Sequence, residues 1–264
     1  MQAKEARSLV TRLVKRTTGF PVQIERDASL STLGTIKMAR PSFPYHVIRY
    51  SPEADGFLDY VVCFQCGFAM RLVGVSEEDR YEVGPSQEGR EKVARLVSEQ
   101  FGPSADISLP AAAQAALSEQ LLAGLVTQLR SIPLALRIDR WLRTEYAGLR
   151  DQQDSAMLQQ LREGIAVLEP RVRGSMPKKI AEASVAMNAA QALYWSRVWG
   201  DEQVVIPYKA SGLLKAGEAL LQVWDELPGD PVHDRELIDA WGRILGISDW
   251  YEFVPFGEVR SSHD

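Results

Sequence analysis

Residues 59–72 read Asp-Tyr-Val-Val-Cys-Phe-Gln-Cys-Gly-Phe-Ala-Met-Arg-Leu (DYVVCFQCGFAMRL). A helix drawn through this stretch, from about Leu58 to Val73, carries apolar side chains nearly all round. A helix without a polar stripe belongs in the interior of a fold. One neutral polar residue, Gln65, interrupts it. Phe64 and Phe68 stand four apart, so their rings share one face of the helix, one turn from each other.

Upstream, Ala6, Leu9, Val10, Leu13 and Val14 recur at helical spacing and predict an amphipathic helix over 3–17. Three segments with strand character follow, 21–26, 35–39 and 45–50, separated by the turn-rich pieces ASLSTLG and RPSFP. In YHVIRY, His46, Ile48 and Tyr50 share one face of a strand, and Tyr45, Val47 and Arg49 the other. SPEADG then supplies acidic residues ahead of the central helix, where the positive end of the helix dipole favours them.

Downstream, GVSEEDRYEVGPSQEGRE reads as an exposed loop leading into a helix over 89–101. After Pro110 the spacing predicts helices at 111–131, 133–147, 151–168, 175–199, 208–227 and 234–246. The aromatic tail DWYEFVPFGEV is expected to pack back on the body. The fold class is therefore α+β and mainly helical. A small N-terminal sheet of about three strands packs on the central helix, and a helical C-terminal array follows. PRVRGSMP (170–177) suggests a division into 1–168 and 169–264. Trp, Tyr and Leu on both sides of it argue for continuous packing, and so for one continuous domain.

The chain has 264 residues, 45% hydrophobic and 25% charged, which is ordinary globular composition with enough length for a substantial core. A net charge of −5 gives little non-specific attraction to nucleic acid, so nucleic-acid binding is not expected. The basic cluster in the first seventeen residues reads as a solvated helix face. No uninterrupted apolar run reaches the roughly 18 residues of a membrane span. The N-terminus MQAKEARSL has no apolar segment of a secretory signal. With two cysteines, Cys63 and Cys66, no disulfide framework is possible, and the cytoplasm is the expected compartment.

One large class of zinc proteases places H-E-x-x-H on a helix, two imidazoles one turn apart with a carboxylate base between them. Phe64-Gln65-Cys66-Gly67-Phe68 occupies such a five-residue frame. The order YHVIRY, a short loop, then LDYVVCFQCGFAMRL resembles bacterial zinc-metallopeptidase-like proteins of the gluzincin, ImmA/IrrE-like kind. In these, a strand similar to H-V-I-R-Y precedes a helix similar to D-Y-x-V-A-H-E-C-G-H-I-L-R. Cys66, Gly67 and Arg71 match that pattern. LRIDRWLRTEYAGLRDQQ (136–153) is similar to the family's I-E-R-W helix, with Asp139 where the resemblance puts a third ligand. MNAAQALYW and DAWGRILGISDWYEFVPF are similar too, so the resemblance spans most of the chain.

What the resemblance implies is a degenerate site. Phenylalanine has no lone pair for a metal, and glutamine cannot take a proton from water at useful pH. The expectation is thus a pseudo-metallopeptidase with no catalytic residue and no cofactor, its zinc lost, that binds a protein or peptide partner. Phe64, Gln65, Phe68 and Asp139 are the degenerate positions. His46, Arg49, Tyr50, Gln65 and Asp139 are the candidate cleft residues; Asp139, with Arg137 and Arg140, reads as part of an ion-pair network with the acidic loops, and the alternative has it facing Gln65 through a hydrogen bond in place of a metal bond. Two enzymatic alternatives stand beside it: a metallohydrolase with other ligands, and a thiol enzyme using the Cys63/Cys66 pair. Trp241, Trp250, Tyr251, Phe253 and Phe256 read as core or as a seal between the two parts.

Overall fold

A computed structural model describes residues 1–40, 42–103 and 107–256. Helix α1 (Ala3–Thr18) buries Ala6, Val10 and Val14, one residue per turn, and turns its charged face outward. It ends at Gly19, whose φ of 79° is a left-handed conformation that glycine adopts without a Cβ penalty. Three strands follow: β1 (Val22–Arg26), β2 (Gly34–Lys37) and β3 (His46–Tyr50). Their order is β1-β3-β2, with β1 parallel and β2 antiparallel to β3. The strand expected to border a cleft, HVIRY, is therefore the central one, with both of its edges paired. The free edge on that side is β2.

Helix α2 (Leu58–Val73) is the predicted interior helix. It packs against α1, against β2 and β3, and against the later helix α4 (Ala111–Glu145). Helix α3 (Gln87–Phe101) begins at Ser86, whose hydroxyl accepts the Gly89 N–H at 2.9 Å and so caps the helix. Helix α4 (Ala111–Glu145) runs unbroken through Pro133, where two helices are expected. An interior proline removes one helical hydrogen bond and costs about 3 kcal/mol. Here Leu129, Leu134 and Leu136 around it are all buried, and the Pro133 carbonyl accepts the Trp224 indole N–H at 3.0 Å. Packing on several sides holds the helix together.

The remainder is helical: α5 (Arg150–Ile165), the short α6 (Pro170–Gly174), α7 (Lys178–Trp199), α8 (Ile206–Ser211), α9 (Leu214–Glu226) and α10 (Asp234–Leu245). The helix expected over 208–227 divides at Gly212, which is left-handed at φ 75°. Two strands fall where the sequence suggests a loop and a packed tail, β4 (Tyr81–Pro85) and β5 (Tyr251–Pro255). They form a separate antiparallel pair with the Tyr81 and Phe253 rings in contact. That pairing crosses the boundary expected after residue 168. One hydrophobic core runs from Ala6 to Tyr251. Two stretches, 52–73 and 111–145, are long and apolar enough to pass for membrane spans by composition. Half of each is buried inside the protein, as in the core helices of a globular domain.

Candidate functional site

A cleft of about 1230 Å³ opens over α2. Residues 31–38, including all of β2, form one wall, and Phe64, Gln65 and Phe68 lie on its floor. The middle of α4 and parts of α5 and α7 close the other side. Phe64 and Phe68 meet edge to face with ring centroids 5.4 Å apart, and Tyr60 continues the row 5.7 Å from Phe64. The two rings thus stand one turn apart on one side of an interior helix, as the spacing requires.

Gln65 is pinned. Its Nε2 donates to the Gly34 carbonyl at 2.8 Å and ties the start of β2 to α2. A Cβ on Gly34 would come within 2.7 Å of Val61 Cγ1 and 3.1 Å of the Arg49 carbonyl, so strand and helix touch there at backbone distance. Arg40, past the far end of β2, pairs with Glu82 of β4 at 3.0 Å. The strand therefore runs along the cleft from Gln65 to the second sheet.

Asp139 neither faces Gln65 nor joins an ion pair among the described residues, which corrects both expected pairings. It is fully buried on α4, beside the turn of α2 that precedes the Phe frame. Its Oδ1 accepts the Tyr60 hydroxyl at 2.8 Å and Gln153 Nε2 at 2.9 Å. Oδ2 is buried with no partner among the described residues. Burial pushes its pKa up to about 7, against the pull of the Gln153 and Tyr60 hydrogen bonds and of Arg143. The Tyr60 hydroxyl, buried beside that carboxyl, is raised well above its ordinary value.

Of the five candidate cleft residues only Gln65 lines the cleft. His46 is buried under α1. Its Nδ1 accepts the Ala39 N–H at 3.2 Å, which leaves Nε2 to donate to Thr18 Oγ1 at 3.0 Å. Burial lowers its pKa and keeps it neutral. Arg49 points to solvent and pairs with Glu25 at 3.4 Å, and Tyr50 stands on the central strand. On its β4 side the cleft is lined by Arg71, part of the resembled helix pattern, and by four residues that the sequence does not single out: Arg80, Tyr81, Gln128 and Arg130. An arginine directly before Tyr81 is their nearest signal, masked because that segment reads as a loop.

Comparison with family models, curated proteins and solved structures returns no match. The chemistry of the site must therefore be read from its own residues. Neither Phe64 nor Phe68 can ligate a metal, and Gln65, whose Nε2 is held by the Gly34 carbonyl, offers at most one neutral oxygen. Asp139 is one carboxyl held by neutral donors, whereas a zinc site needs about three protein ligands. Among the described residues no three His, Cys, Asp or Glu side chains converge as metal ligands would. Zinc does not fit this constellation. Cys63 and Cys66 are free and fully buried, and burial raises both thiols, Cys66 to about 12. A reactive thiol needs the opposite, a depressed pKa and access.

Proposed function

We propose that this chain is a non-catalytic, metallopeptidase-like protein of the cytoplasm whose cleft holds an extended peptide or a segment of a partner protein. One observation carries the reading: the edge of β2, free past the Gly34 carbonyl that Gln65 holds, forms a wall of a large cleft floored by aromatic rings. An edge strand offers a row of unpaired N–H and C=O groups, and an extended chain can add to it as a further strand. Ile36, Met38 and Phe43 beside that edge, with Phe64 and Phe68 below, supply apolar surface for alternate side chains of the guest. The rings fill the place that the resemblance assigns to imidazoles, so binding surface replaces hydrolytic machinery. Buried thiols of raised pKa count against the thiol-enzyme alternative.

Selection of random dodecapeptides displayed against the purified protein tests this reading. Binders should be recovered, and mass spectrometry should find them intact after prolonged incubation. Recovery of no binder would refute the binding role, and cleavage would refute the non-catalytic one. Descent from a zinc site has its own test. The quadruple variant Phe64→His, Gln65→Glu, Phe68→His, Asp139→Glu, which restores two imidazoles, the base and a third ligand, should take up one zinc per chain. A folded quadruple variant that takes up none contradicts an inherited frame.

A further inference from the structure

The cleft is not electrically uniform along its length. Its β4 end gathers arginines. Arg71 donates from Nε and Nη2 to Asp234 at 2.7 and 2.6 Å, and Arg137 reaches the same carboxylate from behind at 2.9 Å. Asp234 thus answers two guanidinium groups, and Glu82 answers Arg40. Arg80 and Arg130 also line this end, and neither has an acidic partner within ion-pair distance among the described residues. Five cations meet two carboxylates there. At the other end α5 and α7 present Gln160, Glu163, Asn188 and Gln191, with no cation among them.

Two polar atoms of these lining residues are buried without a partner among the described residues: Arg80 Nε, a charged donor, and Gln128 Oε1, an acceptor. A buried donor or acceptor without a partner is costly, and native proteins rarely keep one without a role. Arg130 is wetted along the cleft. Enough protein surrounds it to lower its pKa, with Glu82 acting in the opposite direction, and an arginine so placed still keeps its charge.

We infer that the guest of this cleft is acidic: an extended segment along β2 whose carboxylates sit at the β4 end. Arg80 and Arg130 receive the carboxylates through their guanidinium groups. The inference rests on the peptide-binding reading and adds its polarity and charge. A guanidinium offers a carboxylate a planar, two-pronged fit that a neutral donor cannot match. The surplus of positive charge at one end also fixes the direction in which an acidic guest lies.

The composition of the selected dodecapeptides tests it. Glu and Asp should be enriched over the starting library. An enriched acidic peptide should bind the parent protein about tenfold more tightly than either Arg80→Gln or Arg130→Gln, since a charge-assisted hydrogen bond is lost in each. Raising salt from about 50 to about 500 mM, which spans the screening range, should weaken the parent and narrow that gap. Should Arg80→Gln fail to fold by circular dichroism, Arg130→Gln decides the question by itself, because Arg130 is exposed along the cleft. Enrichment of neutral or basic peptides, or acidic peptides indifferent to both variants, overturns the acidic preference and leaves the binding role standing. Absence of any binder overturns both.

Discussion

At the N-terminal end of α2, Asp139 is enclosed and meets only neutral donors, Tyr60 and Gln153. At the C-terminal end, Asp234 is nearly as buried but lies between Arg71 and Arg137, with two more arginines along the cleft. The two carboxyls sit in opposite surroundings. Without a cation in contact, burial raises the Asp139 pKa to about 7. Between guanidinium groups, a carboxylate works as a charged clasp that joins α2, α4 and α10. The first end is sealed and lies away from the cleft. The second is part of its wall, and there the protein has positive charge left over. Charge placement, more than the Phe64/Phe68 spacing on α2, separates the two ends.

Removing the clasp gives the largest expected effect. Asp234→Ala leaves Arg71 and Arg137 facing each other, one of them with its side chain only 3% exposed. Truncating one partner of a buried ion pair costs about 3–5 kcal/mol. Urea denaturation should show a loss of that order; a loss below about 1 kcal/mol, the range of exposed pairs, would make the clasp no stronger than a surface contact.

The sealed end should reveal itself through pH. An aspartate titrates near 3.9 in an unfolded chain, and Asp139 near 7 in the fold. Between those values the native state holds a proton that the unfolded state has released, so this group makes stability fall as pH rises from about 4 through about 7. The total is at most roughly 4 kcal/mol. Asp139→Asn keeps an acceptor for Tyr60 and Gln153 and cannot ionise. Against the parent, its stability should gain steadily across that window. His46, buried and neutral, makes stability rise with pH near its own titration in both proteins, so it cancels from the difference. Parallel pH profiles would mean that Asp139 is ionised in the fold.

Between the two ends, α2 and α4 touch at Gly67, where a Cβ would run into the Ile138 side chain. Ile138 is buried and branched at Cβ, so it cannot swing aside. Gly67→Ala should cost about 1–3 kcal/mol, the usual cost of overpacking. A neutral substitution, read by thermal denaturation, would show that the two helices can separate there without loss.

Much of this architecture is legible in the sequence because it is local. The apolar stripe of α1 and the all-round apolarity of α2 follow from residue spacing, as do the strand character of 22–26 and 46–50. What fails to read is non-local. β4 and β5 are some 170 residues apart, as Val83 and Phe253 show, and neither alternates cleanly on its own. Strand order is likewise a property of pairing, so HVIRY carries no sign that it is central and GTIK no sign that it is the edge. Pro133 predicts a break that tertiary packing overrides. Within the site, the stacked pair Phe64 and Phe68 is readable from spacing. The partners of Gln65 and Asp139, Gly34 and Tyr60, lie on other elements and are not. Arg80 and Arg130 come together only through the sheet and the long helix.

The central claim is that a guest chain adds to the free edge of β2. Amide hydrogen exchange of residues 34–37, measured with and without a peptide selected against the protein, tests it most directly. The account predicts slower exchange on binding at Gly34 and Ile36, which alternate with the β3-bonded Thr35 and Lys37, with β1 at residues 22–26 unaffected. Binding that leaves residues 34–37 unchanged and slows β1 or another surface instead would contradict it.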